Sequence, residues 1–406
     1  MATFKEVPVF GNLDGVKVLS TGAAVAQPHA AELMAEAGAT VIHVENGVAP
    51  DVTRGIKYAF SSEHRNQLMM SLNIPTPEGK EIFLKLIQWS DIWMESSKGG
   101  TYSSWGLTDE YLWEHNPKLI IVHISGFGQT GLLEYVERAS YDAIGQAFGG
   151  YMFINGMPEP NPPMRTNVYT CDYVSALTGC WSALAALWKA EKTGRGESID
   201  VAQFEVLMRI QTHYPMTYLN DKRLLQRLGN ADPMGPGYNV FRCKDDNYVF
   251  IAFFGSGVMR RGLPLLGLDK DPDFPPGIQL ALWGTPAGPK LEKALLEYCS
   301  AHTADEVDKN MMEVGVPCSK VMNIELAAED PHYQAREVFV EWDDSEYGTV
   351  QGVGVVPKFK NNPGKIWRGA PLYGADNDDI LTELGYGEKQ IAEFYEKRII
   401  SKDKRL

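Results

Sequence analysis

Over its first 125 residues the chain alternates short apolar runs with amphipathic helical stretches, and this alternation restricts the fold to a parallel sheet covered by helices. Residues 16–20 read as a buried strand, Pro28 opens a helix through residue 37 with Gly38 as its stop, and residues 39–45 return as the next strand. Residues 79–89 read as helix, 91–95 as strand and 108–115 as a short helix. Residues 118–125 (Lys-Leu-Ile-Ile-Val-His-Ile-Ser) form a continuous apolar run, the pattern of a parallel strand buried on both faces. The glycine-rich Gly126-Phe127-Gly128-Gln129-Thr130-Gly131 follows at the carboxyl end of that strand, where open α/β sheets bind ligands, although turn geometry alone accounts for its glycines equally well.

The opening βαβ unit, with an acid ending its second strand, has the outline of a dinucleotide site. Its first turn, Thr21-Gly22-Ala23-Ala24-Val25-Ala26-Gln27, carries one glycine where three are needed for a pyrophosphate to approach the backbone. A nicotinamide oxidoreductase is therefore the weaker reading. Farther along, residues 141–150 and 173–192 read as helices, the second stopped by Thr193-Gly194-Arg195-Gly196. Residues 197–202 read as strand and a helical stretch runs from Phe204 into the 220s. The Pro/Gly-rich stretch 229–237 marks a change of character. Beyond it a hairpin (238–243 with 248–254), helices at 289–302 and 304–314, a strand at 318–322, a helix near 325–337 and strands at 339–342 and 350–357 are expected. The expected organisation is a large domain from 1–225, a small domain from 226–330, and a return to the large domain from 331–406.

A net charge of −14 excludes the basic footprint of a nucleic-acid binder, but a local basic group or helix N-terminus can still hold a phosphate. The five cysteines are scattered without a Cys-x-x-Cys pair, which fits reduced thiols in the cytoplasm and no structural zinc. No signal-peptide core and no apolar run long enough to span a membrane is seen. The eight histidines show no metal-ligand spacing. His43 and His123 fall inside predicted strands and read as core residues; His29, at a helix start facing the carboxyl ends of the strands, is the histidine to test.

Asp172, in Thr170-Cys171-Asp172-Tyr173, opens an Ala/Leu-rich helix. A carboxylate there meets unpaired backbone N–H groups and the positive end of the helix dipole, so it is expected to stay ionised near neutral pH. It then serves either as an N-cap or as an oxygen nucleophile toward an activated acyl group. Aromatic residues crowd around it in sequence: Tyr141, Tyr151, Phe153, Tyr169 and Tyr173.

Several stretches together resemble the class III CoA-transferases, also known as the formyl-CoA transferase or carnitine-dehydratase family. They are Val41-Ile42-His43-Val44-Glu45, Ser71-Leu72-Asn73 with Pro77-Glu78-Gly79, Asn116-Pro117-Lys118-Leu119-Ile120, Ser125-Gly126-Phe127-Gly128, Tyr141-Asp142 with Gln146-Ala147, Thr193-Gly194-Arg195-Gly196-Glu197, Asp330-Pro331-His332 with Ala335-Arg336, and Ala370-Pro371-Leu372 with Gly374. The match runs in order over nearly the whole chain. Val356-Pro357-Lys358-Phe359-Lys360-Asn361-Asn362-Pro363-Gly364, Trp113-Glu114-His115-Asn116-Pro117-Lys118 and the Ser97-Lys98-Gly99 turn most resemble the L-carnitine CoA-transferase branch.

The resemblance implies a fold: α/β, a Rossmann-like large domain with an inserted smaller α+β domain, in an interlocked homodimer. It implies that Asp172 forms a mixed anhydride and then an aspartyl thioester with CoA, with no metal and no tightly bound cofactor, the CoA thioester being a substrate. It also implies a CoA site at Lys98, Leu72, Asn73, Ser96, Ser97, Trp105, Arg138, Tyr141 and Asp142, with Asp142 near the nucleophile. Asn46, Ser104-Trp105 and Ala139 stand where many relatives carry basic residues, and Arg138 is a substitute donor or a surface arginine. The substrates implied are an acyl-CoA and a small acid, first carnitine or a related betaine exchanging with crotonobetainyl-CoA or γ-butyrobetainyl-CoA, then other hydroxy or unsaturated acids. An acyl-CoA racemase shares the fold but needs a histidine where Tyr141 stands, and an unperturbed phenol with a pKa of about 10 is no base near neutrality. A non-catalytic CoA-binding scaffold requires Asp172 to be dispensable.

Overall fold

The structure is a computed structural model that describes residues 7–402. The chain forms two compact units. The first takes the described residues up to Met152, then Arg165–Arg223, and the chain from Arg336 onward; the second takes Phe153–Met164 and Leu224–Ala335. The stretch Phe153–Met164, inside the first expected segment, thus groups with the second unit.

The first unit is built on six parallel strands: β1 (Lys17–Ser20), β2 (Thr40–Asn46), β3 (Gln67–Leu72), β4 (Ile92–Glu95), β5 (Ile120–Ser125) and β6 (Glu197–Ala202), in the order β3-β2-β1-β4-β5-β6. Side chains alternate across the strands, so each face has its own core. On one face Val18, Val41, Ile92, Val122 and Ile124 pack with alanines of α1 (Ala26–Glu36) and of the long helix Thr170–Thr193. On the other, Leu19, Ile42, Trp93 and Ile121 pack with α2 (Pro77–Trp89) and with the C-terminal helices Asn377–Glu383 and Glu388–Glu396. Every residue of β5 is buried, which is why it reads as an unbroken apolar run.

Strand β3 is absent from the sequence reading. It is equally buried, yet contains Gln67 and Ser71 and no β-branched residue. Its edge is closed by chain from far away: Asp376 Oδ2 accepts the Met69 N–H (2.7 Å) and Asn377 Oδ1 accepts the Ser71 N–H (2.9 Å). An edge strand satisfied in this way carries no local signal.

The second unit has an antiparallel sheet of β7 (Tyr238–Arg242), β8 (Tyr248–Ala252) and β9 (Cys318–Lys320), in that order. Helices Ala287–Ala301 and Ala304–Glu313 bury Leu291, Leu295, Val307 and Met311 in the same core as Phe241, Val249 and Ile251. Two expected long helices are broken. The stretch from Phe204 splits into Gln203–Arg209 and Tyr214–Asp221, with Thr212 at φ +53° between them. The stretch near 325–337 splits into Ile324–Glu329 and Pro331–Ala335, because the ring of Pro331 forbids helical continuation from Asp330. All five cysteines are free. Among the described residues no helix is long and apolar enough to cross a membrane.

Trp93 is fully buried in β4, and its indole N–H donates to Thr21 Oγ1 (2.9 Å) in the turn after β1. Trp93→Ala should cost about 3–5 kcal/mol, read as a fall in the denaturant midpoint with unchanged slope.

Candidate active site

The first turn of the Thr170–Thr193 helix is capped by a neighbour and not by its own side chains. Tyr169 stands at the N-cap without a side-chain bond, and Asp172 sits inside the first turn. The cap comes from Asp142, at the start of the helix Asp142–Phe148: its Oδ1 accepts the N–H of Cys171 (2.7 Å) and of Asp172 (3.3 Å). Gln146 Nε2 donates to the other oxygen of Asp142 (2.7 Å). Close approach of the two helices needs Gly145, since a Cβ there would lie 2.6 Å from Cys171 Sγ.

Asp172 is thereby relieved of capping. Its Oδ1 accepts one bond, from Gln203 Nε2 at 2.5 Å. Burial and the nearby charges of Asp142 and Glu63 push its carboxyl up to about 7, against the pull of the Gln203 bond. The expectation that the helix start keeps this group fully ionised near neutrality is corrected: the N–H groups that would have done so are taken by Asp142.

Asp172 opens onto a cavity of about 490 Å³. Strand order reverses between β1 and β4, so the turns leaving their carboxyl ends diverge and leave a crevice. The turn at Gly22, Ala23 and Ala24 forms one lip; Ser96, Ser97 and Lys98 form the other. Gly22 is required by close packing, because a Cβ would meet Gln27 Oε1 at 2.1 Å and Ser96 Oγ at 2.7 Å. Arg138, Ser140, Tyr141 and Gln203 complete the wall around Asp172.

Of the residues expected to meet CoA, the structure thus brings Lys98, Ser96, Ser97, Arg138 and Tyr141 to one cavity with Asp172, while Asp142 supports it from behind. Leu72, Asn73 and Trp105 do not line it. Leu72 ends β3, two strands away from the crevice, with its side chain in the core. The Asn73 backbone is bound to Ile399 O (2.8 Å) and turns into α2, and Trp105 packs on Tyr102 with centroids 5.0 Å apart. Gln203 and Ser140 were missed; Gln203 opens the helix Gln203–Arg209 and Ser140 precedes the helix Asp142–Phe148, each a single polar residue with no motif to mark it.

The acid that ends β2 is not free for a ribose. Glu45 is held by Arg54, with Nη2 2.6 Å from Oε1, and accepts the Asp51 N–H (2.8 Å). His123 lies between Glu95 (2.7 Å) and Asp109 (3.1 Å), and His43 Nδ1 meets Ser20 Oγ (2.6 Å). Both are core histidines.

A buried carboxylate facing a crevice lined by Lys98 and Arg138 suits acyl chemistry on a polyanionic thioester. Comparison with known proteins decides the class. CoA-transferase family III matches residues 13–377. The chain belongs to this family. It is 50% identical to the bile acid CoA-transferase BaiK of Clostridium scindens over 396 residues, which is 97% of this chain and 90% of that protein. A crystal structure of a CAIB/BAIF family protein from Brucella suis is similar over 92% of this chain and all of that one, with TM-score 0.78 and 28% identity. The fold is shared with Rv3272 of Mycobacterium tuberculosis (TM-score 0.77, 22% identity, 91% of this chain and 99% of that one). The protein is therefore a family III CoA-transferase.

As the carboxyl of Asp172 titrates higher when folded than the ordinary 3.8, folding favours its protonated form. That contribution is complete below about pH 3.8 and is lost as pH rises through about 7. Asp172→Asn, which does not titrate, should gain thermal stability relative to wild type steadily between those limits, in melting curves measured across the range.

Proposed function

We propose that this CoA-transferase works through Asp172 and that its acid is a small zwitterionic carboxylate of the betaine type, such as carnitine, crotonobetaine or γ-butyrobetaine. An ionised Asp172 oxygen attacks the thioester carbonyl, the C–S bond breaks, and the CoA thiolate leaves with its electron pair. The thiolate then attacks the aspartyl carbonyl of the anhydride and releases the first acid as a carboxylate. The acceptor carboxylate attacks the aspartyl thioester, and the thiolate returns once more to the new acyl carbonyl, which frees Asp172. Lys98 and Arg138 supply positive charge for CoA phosphates, while Ser96, Ser97 and Tyr141 line the path to Asp172. The reading needs no metal and no resident cofactor. Two chains pairing as interlocked rings, in the cytoplasm, belong to the same reading; Trp181 and Trp188, both exposed on one helix, suit such a contact.

The substrate class rests on one observation: the carboxylate of Asp142 stands directly behind Asp172, its Oδ1 accepting the Asp172 N–H (3.3 Å). A plain anion meets that field with only Lys98 and Arg138 of the crevice to offset it, whereas a betaine also carries its own positive charge. A second reading is favoured by the Clostridium scindens relative, from which a bulky bile-acid carboxylate would be the substrate. A panel of acids, offered with acetyl-, butyryl- and betainyl-CoA donors, separates the two. Transfer to betaines is expected; transfer confined to bile acids would replace this reading with the second. Asp172→Asn should abolish transfer with the fold intact, and in wild type the acidic limb of kcat/KM should fall near pH 7, where that carboxyl protonates.

A further inference from the structure

Behind the Ser96, Ser97 and Lys98 lip of the crevice lies a separate cavity of about 380 Å³, and Lys98 lines both. Its wall holds His123 of β5 together with four acids, Glu95, Asp109, Glu110 and Asp200. Strand register sets the first contact: β4 and β5 pair Glu95 with His123, so the two side chains leave neighbouring strands on one face. His123 Nδ1 lies 2.7 Å from Glu95 Oε1, and Nε2 lies 3.1 Å from Asp109 Oδ1. A ring nitrogen without a proton would turn its lone pair on a carboxylate, so both nitrogens carry hydrogen and the ring is an imidazolium. Burial disfavours that charge, yet Asp109 and Glu95 push the His123 pKa up to about 10.

The chain of bonds runs on at both ends. Asp109 Oδ2 accepts the hydroxyl of Ser198, on β6. Glu95 Oε2 accepts the N–H of Ser97 (2.6 Å), the residue before Lys98. Lys98 O in turn accepts the Thr101 hydroxyl (2.7 Å), and Gly99 leaves no room for a side chain, since a Cβ would meet Val136 Cγ1 at 2.3 Å. The backbone on either side of Lys98 is therefore fixed, and the tether on the Ser97 side is a carboxylate that His123 holds in place. A flexible four-carbon stem leaves the Lys98 ammonium a choice between two cavities. One is the crevice; the other is lined by acids whose attraction His123 already meets.

We infer that His123 is a positioning residue for the transferase: by bridging Glu95 and Asp109 it anchors the Ser97 N–H and keeps Lys98 directed into the crevice, which rests on the reading of Lys98 as a phosphate contact given above. Removing it slackens the tether and leaves Glu95 and Asp109 uncompensated, free to draw the ammonium out of the crevice.

His123→Gln keeps a polar side chain but cannot donate to both carboxylates as a cation. In calorimetry its Kd for CoA should weaken about tenfold, the size of one lost bond to a charged group. Its Kd for pantetheine, which lacks the phosphates, should weaken about twofold or less, whereas a general loosening of the fold would weaken both alike. In a Lys98→Ala background His123→Gln should add almost nothing, because the two changes remove one contact. Asp109→Asn, at the partly exposed end of the chain of bonds, should show the same split between CoA and pantetheine at a smaller size, and its result decides if His123→Gln does not fold. Equal losses on the two ligands, or additive losses in the double variant, overturn the inference. Lys98→Ala that binds CoA as wild type does overturns the phosphate reading and the inference with it. A weakened Lys98→Ala beside an unchanged His123→Gln overturns the positioning alone.

Discussion

One carboxylate organises the site. Asp142 accepts two backbone N–H groups from the first turn of the neighbouring helix and thereby joins the two helices, anchors that turn and places a negative charge beside Asp172. An N–H left unpaired at a buried helix end is costly, so the cap is a structural demand first. Its consequence is chemical. Because Asp142 consumes the donors that would have stabilised an ionised Asp172, that carboxylate is left with one amide bond from Gln203 and sits at the threshold of ionisation near pH 7. A carboxylate so sparsely solvated is easier to strip for attack than one wrapped in hydrogen bonds, and its basicity is correspondingly higher.

The sheet supplies the second constraint. A strand order that reverses between β1 and β4 opens a crevice whatever the ligand. What this chain does with it differs from a dinucleotide fold. The first turn packs against Ser96 through a single essential glycine, and the acid at the end of β2 is consumed by Arg54. The crevice therefore lacks the groups that recognise a nicotinamide dinucleotide. Fold and chemistry are separable here, and the site's side chains, not the sheet, carry the distinction.

Acidic and basic side chains meet in more than one cavity of the first unit. Lys98 and Arg138 face the crevice together with Glu45, Asp51 and Asp172, and the pocket behind Tyr173 collects Glu32, Glu36 and Glu63 around Arg65 and His29. Burying three acids with two bases sacrifices stability that apolar side chains would have supplied.

Much of this was legible beforehand. The βαβ alternation, the unbroken apolar run of β5 and the position of Asp172 at a helix start are local patterns with local causes, and the family follows from motifs strung along the whole chain. Other features have no local cause. Strand β3 exists because Asp376 and Asn377, some three hundred residues away, satisfy its edge. Leu72, Asn73 and Trp105 fell away from the crevice because strand order, which no single segment encodes, sets which turns converge. The ionisation of Asp172 depended on which helix end Asp142 reached, and the pairing of His29 with Glu63 on how α1 met a distant turn. Sequence by itself determined periodicity and family, since these reside in neighbouring residues; tertiary structure alone decided electrostatics and cavity walls, because charges and turns far apart in the chain interact only once packing brings them within a few ångströms.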